Sequence, residues 1–381
     1  MIPQMEPNYD EKEAEAVYEY MKSGGWVTEH TKSRELEKMI SSFIGSKHAH
    51  LVNNGTISLS IALLALDIKP GDKVIVPNLT MIATPNSVRL IGAHPVFVDV
   101  ETETGCISIY QVKEILEKEK DIKAVFHVSL NARCNDIISL KKLCKKRGVF
   151  LIEDSAQSLG SFYKGKHLGT FGDIGSFSFS SPKIISTGQG GVLVTDNDEF
   201  SEKISRLKNF GRDSGGNDDH PFFGINCKFT DLQAVIGIEQ MKKLEGRIEK
   251  VKKNWNFYVS LLSLCKGVDM LLDNDIGWIP WFVDIYMETK ELRDELHLYL
   301  KERGIGTRKV YPPISSQKIY HPEVFKRDLR ATEDELFPNS KYISERGLWL
   351  PSSSKLSDDD IREVCRHIII FCKEKVPRYG Y

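Results

Sequence analysis

Val149-Phe-Leu-Ile-Glu-Asp154 and, further on, Gly175-Ser-Phe-Ser-Phe-Ser-Ser-Pro-Lys183-Ile-Ile-Ser-Thr-Gly-Gln-Gly-Gly191 are the stretches whose joint reading decides the fold. The first is apolar and β-rich. It reads as a strand buried in a parallel sheet, with Asp154 at its carboxyl end. Ligands in open α/β sheets bind outside that end. The second stretch puts Lys183 twenty-nine positions after Asp154, with no other charge between Ile174 and Val194. A lysine is ordinarily a solvated surface charge. One kept among apolar, hydroxyl and glycine residues is poorly hydrated, so its pKa falls and its amine becomes nucleophilic.

Such an amine suits a Schiff base with a carbonyl cofactor. Pyridoxal phosphate also needs a carboxylate beside its ring nitrogen, because the protonated ring is the electron sink. An aspartate alone more often caps a turn or a helix. Asp154 on a rigid strand and Lys183 on the following loop together supply both requirements, and we expect them to be the catalytic pair.

Working outward, Lys73–Pro77, Pro95–Asp99 and Lys123–Val128 are further short apolar runs, with helical patterns at Ile109–Lys118 and Leu140–Arg147 between them. Strands alternating with helices predict a mostly parallel α/β sheet. A long helical pattern from Asp231 to Leu264 carries the chain into a smaller C-terminal domain. Trp281–Tyr286 and Gly306–Tyr311 read as strands of that domain, and Ser357 as the cap of a last amphipathic helix. The expected division is 1–245 for the large domain and 246–381 for the small α+β one. His127 reads as a structural histidine at a strand end.

Several segments follow one another in the order of a known family: Asn54-Gly55-Thr56, Glu153-Asp154-Ser155-Ala156-Gln157, Lys164-Gly165-Lys166, Gly169-Thr-Phe-Gly-Asp173, Phe177-Ser178-Phe179 before Lys183, Thr187-Gly-Gln-Gly-Gly191, and Gly224-Ile-Asn226-Cys-Lys-Phe-Thr230-Asp231. The chain resembles the DegT/DnrJ/EryC1/StrS sugar aminotransferases, with the perosamine synthases as the nearest type. The resemblance implies the type I pyridoxal-phosphate-dependent aminotransferase fold, a large domain with a mostly parallel seven-stranded sheet plus a smaller domain. It implies that Lys183 bonds the cofactor and then shuttles a proton, that Asp154 pairs with the pyridinium, and that Gln157 bonds the phenolic oxygen. Gly55, Thr56 and Ser178 would hold the phosphate, joined by Asn226 of a second copy in a homodimer. The apolar helix after Thr56 supports an anion at its N-terminus independently.

The amino donor implied is L-glutamate and the acceptor a nucleotide-linked keto-sugar, first of all a 4-keto-6-deoxyhexose. A C3 ketone, a cyclitol ketone, a sugar dehydratase and a regulatory sensor on the same fold are the alternatives. Lys183 argues against the dehydratases, which carry histidine there. Trp26, Thr28, Arg308 and Tyr311 match segments that border the substrate. Three positions depart from the family pattern. Met81 stands where an aromatic usually covers the cofactor ring, a role its polarizable sulfur can fill. Ala132 replaces a common glycine, and Ser315 lies where many relatives have histidine.

Composition sets bounds. With 52 basic and 53 acidic residues the chain has no cationic surplus for nucleic acid. Seven scattered cysteines, without a Cys-x-x-Cys pair, favour neither a disulfide framework nor a metal site. The N-terminus has no apolar signal core and no run is long enough to span a membrane, so a reducing, cytoplasmic location is expected.

Overall fold

In the computed structural model, which describes residues 1–213, 218–271, 277–321 and 333–376, the predicted apolar runs become strands of one sheet. These are β1 (His48–Val52), β2 (Lys73–Pro77), β3 (His94–Val98), β4 (Ile122–Val128) and β5 (Phe150–Asp154). A small hairpin, β6 (Phe162–Tyr163) and β7 (Lys166–His167), precedes β8 (Ile174–Ser178) and β9 (Gly191–Thr195). The seven-stranded order is β1-β9-β8-β5-β4-β2-β3. Pairings from β3 through β8 are parallel, and β9 runs antiparallel to both neighbours. Val74, Val76, Ala124, Phe126 and Ile152 point to one buried cluster, and Ile75, Val125 and Leu151 to another. Burial on both faces is why these strands read as continuous apolar runs.

Register places the site. Asp154 pairs with Ser176, and Ser178 with Gly191, so the carboxyl ends of β5 and β8 lie side by side. Helix Gly55–Ala65 packs against β8 through a Ser176 Oγ to Ser58 Oγ hydrogen bond of 2.7 Å, which brings its N-terminus to Ser178. The loop Gly169–Asp173 is drawn onto β5 by Glu153, whose buried carboxylate accepts from Gly169 N (2.6 Å) and Gly172 N (2.5 Å). Gly169 has φ +92°, and a Cβ there would meet Phe177 Cζ at 2.4 Å. No other residue fits that place.

Two expectations are corrected at element level. The helical run from Asp231 is two helices, Asp231–Lys242 and Leu244–Leu262, joined at Lys243. The small-domain strands are shorter than predicted: β10 (Val268–Asp269), β11 (Asp284–Met287), β12 (Arg308–Lys309) and β13 (Gly347–Trp349), in the antiparallel order β10-β11-β13-β12. Phe282 and Val283 leave the ladder because their backbone N–H groups donate to the side chains of Asn131 (2.7 Å) and Ser352 (2.9 Å). The last helix, Asp358–Lys375, has the predicted cap: Ser357 Oγ accepts from Asp360 N, and the Asp360 carboxylate accepts from Ser357 N. Its stripe of Ile361, Val364, Cys365, Ile368 and Cys372 is buried in the small-domain core. The extreme N-terminus crosses to this domain, with Ile2 bridged to Ile305 and Gln4 O accepting from Ser352 N (2.9 Å).

Candidate active site

Lys183 follows Pro182 on the loop between β8 and β9, where its N–H donates to Ser180 O at 3.0 Å. The side chain is half-buried, and its Nζ lies 3.8 Å from the centroid of the Trp281 ring. Withdrawal from water holds this amine down at about 7; the carboxylate of Asp154 opposes the shift and the charge of Arg308 assists it. A lysine in this state is substantially neutral at neutral pH and can act as a nucleophile or proton carrier.

Asp154 is buried at the end of β5. Oδ2 accepts from Thr84 Oγ1 at 2.7 Å and Oδ1 from Ala156 N at 3.3 Å, while Thr84 Oγ1 also meets Thr80 Oγ1 at 3.0 Å. Burial raises the pKa of Asp154, against the hydrogen bonds of Thr84 and Ala156 and the charge of Lys183. Thr84 was not singled out from sequence. Its only signal was its place beside Thr80-Met81, a segment examined for Met81 alone.

At the N-terminus of helix Gly55–Ala65 the cap is Asn54, whose Oδ1 accepts from Ile57 N at 2.9 Å. Thr56 is therefore a first-turn residue beside Gly55. A Cβ on Gly55 would lie 3.1 Å from Ser178 Cβ and 3.3 Å from its Oγ, so the structure brings Gly55, Thr56 and Ser178 together. Helix amides, a threonine and a serine hydroxyl form a cradle suited to a phosphate. Gln157 Oε1 accepts from Asn131 N at 2.6 Å. Asn131 (φ 50°) and Ala132 (φ 63°) are both left-handed, which is the physical reason a glycine suits position 132.

Tyr311 is half-buried with its ring edge-on to Trp349 at 4.8 Å, and the Arg308 guanidinium lies 5.2 Å from the Tyr311 centroid and 5.5 Å from that of Trp349. Trp349 meets Trp281 at 5.9 Å, so a chain of rings links Arg308 to Lys183. Burial pushes the Tyr311 hydroxyl up to about 12. The remaining candidates lie outside this cluster of contacts. Met81 is nearly half exposed, its sulfur accepting from Ala83 N at 3.3 Å. Trp26 and Thr28 are exposed on a segment tied to Asp231, Thr28 O accepting from Asp231 N at 3.3 Å. Asn226 is exposed on a loop paired with Asn209. Ser315 faces the interior, exchanging hydrogen bonds with Asn78 at 2.8 and 3.0 Å. His127 is buried, bonded through Nε2 to Asn135 Oδ1 at 3.1 Å, and held down at about 4 by that burial.

A cavity beside Lys183 is lined by Gln157, Ser178, Trp281 and, from the N-terminal segment, Met5, Glu6 and Asn8. Among the described residues no helix is long and apolar enough to cross a membrane.

The model of the DegT/DnrJ/EryC1/StrS aminotransferase family matches residues 7–369. A GDP-perosamine synthase of Vibrio cholerae is 34% identical over 374 residues, covering 97% of this chain and 98% of that protein. One of Escherichia coli O157:H7 is 33% identical over 98% of this chain and 99% of its own. Among solved structures, the aminotransferase TlmJ of Streptoalloteichus hindustanus superposes with a TM-score of 0.90 at 27% identity, over 99% of this chain and 100% of that one. The buried carboxylate, the low-pKa lysine and the anion cradle have the chemistry of donors that pyridoxal phosphate requires, and the chain belongs to the DegT/DnrJ/EryC1/StrS family as a pyridoxal-phosphate-dependent aminotransferase.

Proposed function

We propose that this enzyme moves the amino group of L-glutamate to the C4 ketone of a nucleotide-linked 4-keto-6-deoxyhexose, with a GDP-linked sugar as the first acceptor to try. The chemistry rests above all on Lys183, a neutral-leaning amine set between the Trp281 face and the buried Asp154. The acceptor class rests on the GDP-perosamine synthases that align over nearly the whole chain. Bound pyridoxal phosphate would supply an electron sink at the carbon that carries the transferred nitrogen.

The residues divide the work by position. The Gly55 and Thr56 amides with Ser178 would hold the phosphate at the helix N-terminus. Asp154 would keep a proton on the ring nitrogen, its second oxygen steadied by Thr84. Gln157, fixed by Asn131 N, would orient the ring oxygen. Lys183 would carry a proton from the donor carbon to the cofactor carbon and back in the second half. Trp281 covers the amine from one side and keeps water away from it. Arg308 and Tyr311 would face the substrate.

Asn226 would complete the phosphate site of a second copy. Phe222, Phe223 and Ile225 beside it are exposed, and a two-fold partner would cover them. Mixing inactive Lys183→Ala with inactive Asn226→Asp chains would regain activity in mixed dimers if sites are shared. No regain, with dimers formed, would sink that part. All seven cysteines are free thiols, which supports a reducing, cytoplasmic setting.

The central test follows the visible absorption of the protein loaded with pyridoxal phosphate. L-glutamate should bleach the band, and one keto-sugar should restore it with an amino sugar of the expected mass as product. A band indifferent to glutamate would point to another donor. Restoration only by a 3-keto sugar or a cyclitol ketone would move the reaction to those acceptors.

A further inference from the structure

The main chain on both sides of Lys183 is held by side chains distant in sequence. Before it, Pro182 O accepts from Trp281 Nε1 at 2.8 Å. After it, Ile184 O accepts from Arg247 NH1 at 3.0 Å, and the same nitrogen donates to Gln240 Oε1 at 2.5 Å. Arg247 NH2 donates to Asn8 O at 2.6 Å. Gln240 Oε1 also accepts from Ser186 N (3.2 Å), while its Nε2 donates to Asn8 O (3.0 Å) and Glu13 Oε1 (2.6 Å). Tyr9 OH adds a 2.8 Å bond to Ser186 Oγ. One planar guanidinium thus joins the loop of Lys183, the N-terminal segment that lines the same cavity, and helix Asp231–Lys242.

We propose that Arg247 is a positioning residue for Lys183: its fork fixes the Ile184 carbonyl and the N-terminal segment so that the amine stays against Trp281. Arg247 is buried, and the acceptors of its three hydrogen bonds are two backbone carbonyls and an amide oxygen. That arrangement uses the geometry of a guanidinium, which an ammonium cannot reproduce. Three bonds from neighbouring elements leave the loop one arrangement, and releasing them lets the amine swing toward water. The inference rests on the reading of Lys183 as the cofactor-bearing lysine.

The test compares the full-length wild type with Arg247→Met, Arg247→Lys and Tyr9→Phe. In cofactor-free protein, mass spectrometry follows acetylation of Lys183 by acetic anhydride against pH. Asp154 and Arg308 are the charges that act on Lys183, and all variants retain them. Glu13, Asp10 and Tyr9 face Arg247. Loosening the loop should raise the labelling midpoint by about one pH unit in both Arg247 variants, because a hydrated amine returns toward its ordinary range. In the loaded enzyme the glutamate half-reaction should slow by up to about a hundredfold, with glutamate affinity little changed. Tyr9→Phe should shift both readouts in the same direction by less, and it serves alone if the Arg247 variants do not fold. A wild-type midpoint and rate in Arg247→Lys would show that charge suffices and overturn the proposal. So would unchanged readouts in a folded Arg247→Met or, standing alone, in Tyr9→Phe. If the wild-type protein gave no visible band with pyridoxal phosphate, the reading of Lys183 itself would fall, a result separate from any variant's labelling midpoint.

Discussion

At the scale of single residues, Thr84 decides how Asp154 behaves. Burial alone would push the carboxyl toward neutrality, and the Thr84 hydroxyl opposes this by donating to Oδ2 at 2.7 Å. Thr84→Val keeps the volume and removes the donor. A hydrogen bond to a charged group contributes about 1.5–3 kcal/mol, so the Asp154 pKa should rise by about one to two units. The carboxylate is then lost at higher pH than in the wild type. The acid limb of the kcat profile should move upward accordingly, while turnover at alkaline pH approaches the wild-type value. An unmoved acid limb in a folded, cofactor-loaded variant would detach Asp154 from that limb. Asp154→Asn, which cannot carry the charge at any pH, should retain some cofactor and lose about a hundredfold or more in kcat, the scale of losing a main electrostatic stabiliser.

At the scale of elements, the N-terminus of helix Gly55–Ala65 works because Gly55 lets Ser178 approach. Gly55→Ala would favour the helix by a few tenths to about 1 kcal/mol, yet its Cβ would sit 3.1 Å from Ser178 Cβ. The expected outcome is a thermal midpoint equal to or above that of the wild type, with weaker affinity for pyridoxal phosphate and for inorganic phosphate as competitor. Equal affinity for both would remove Ser178 from the cradle. This helix and the parallel strands were legible because their residues are buried all round, and continuous apolar runs announce that. Lys183 and Asp154 were legible because a lone charge in an apolar run contradicts its surroundings. The small-domain strands were not. Phe282 and Val283 have strand composition, but their N–H groups go to Asn131 and Ser352, partners that no local pattern reveals. The break at Lys243 was hidden for the same reason: both flanking helices continue the amphipathic pattern, and tertiary packing fixes where they part.

At the scale of the whole molecule, the site stands between two domains and depends on how firmly they are joined. Arg133, just after the left-handed Asn131-Ala132 turn, makes a two-pronged pair with Asp284 at 2.7 and 2.8 Å, and its NH2 also donates to Leu271 O at 2.8 Å. Both partners of the pair are almost fully buried, Asp284 also accepts from Tyr286 OH at 2.9 Å, and the guanidinium lies 5.1 Å from the Trp278 centroid. Asn131 ties the same turn to Phe282 through both its side-chain atoms. Neither residue stood out as a domain joint in sequence, since a pair 151 positions apart leaves no periodic trace. Arg133→Met should cost about 3–5 kcal/mol, because Asp284 is left charged and buried without its partner. Urea unfolding at neutral pH measures this as a lower midpoint with the slope preserved. Replacing both residues, Arg133→Met with Asp284→Leu, should recover much of the loss, since no buried charge remains uncompensated. Recovered stability with turnover still depressed would mean that the pair's contribution is alignment of the Trp281 wall over Lys183. A single variant as stable as the wild type would mean that water reaches Asp284, and that the domains are held chiefly by their apolar contacts.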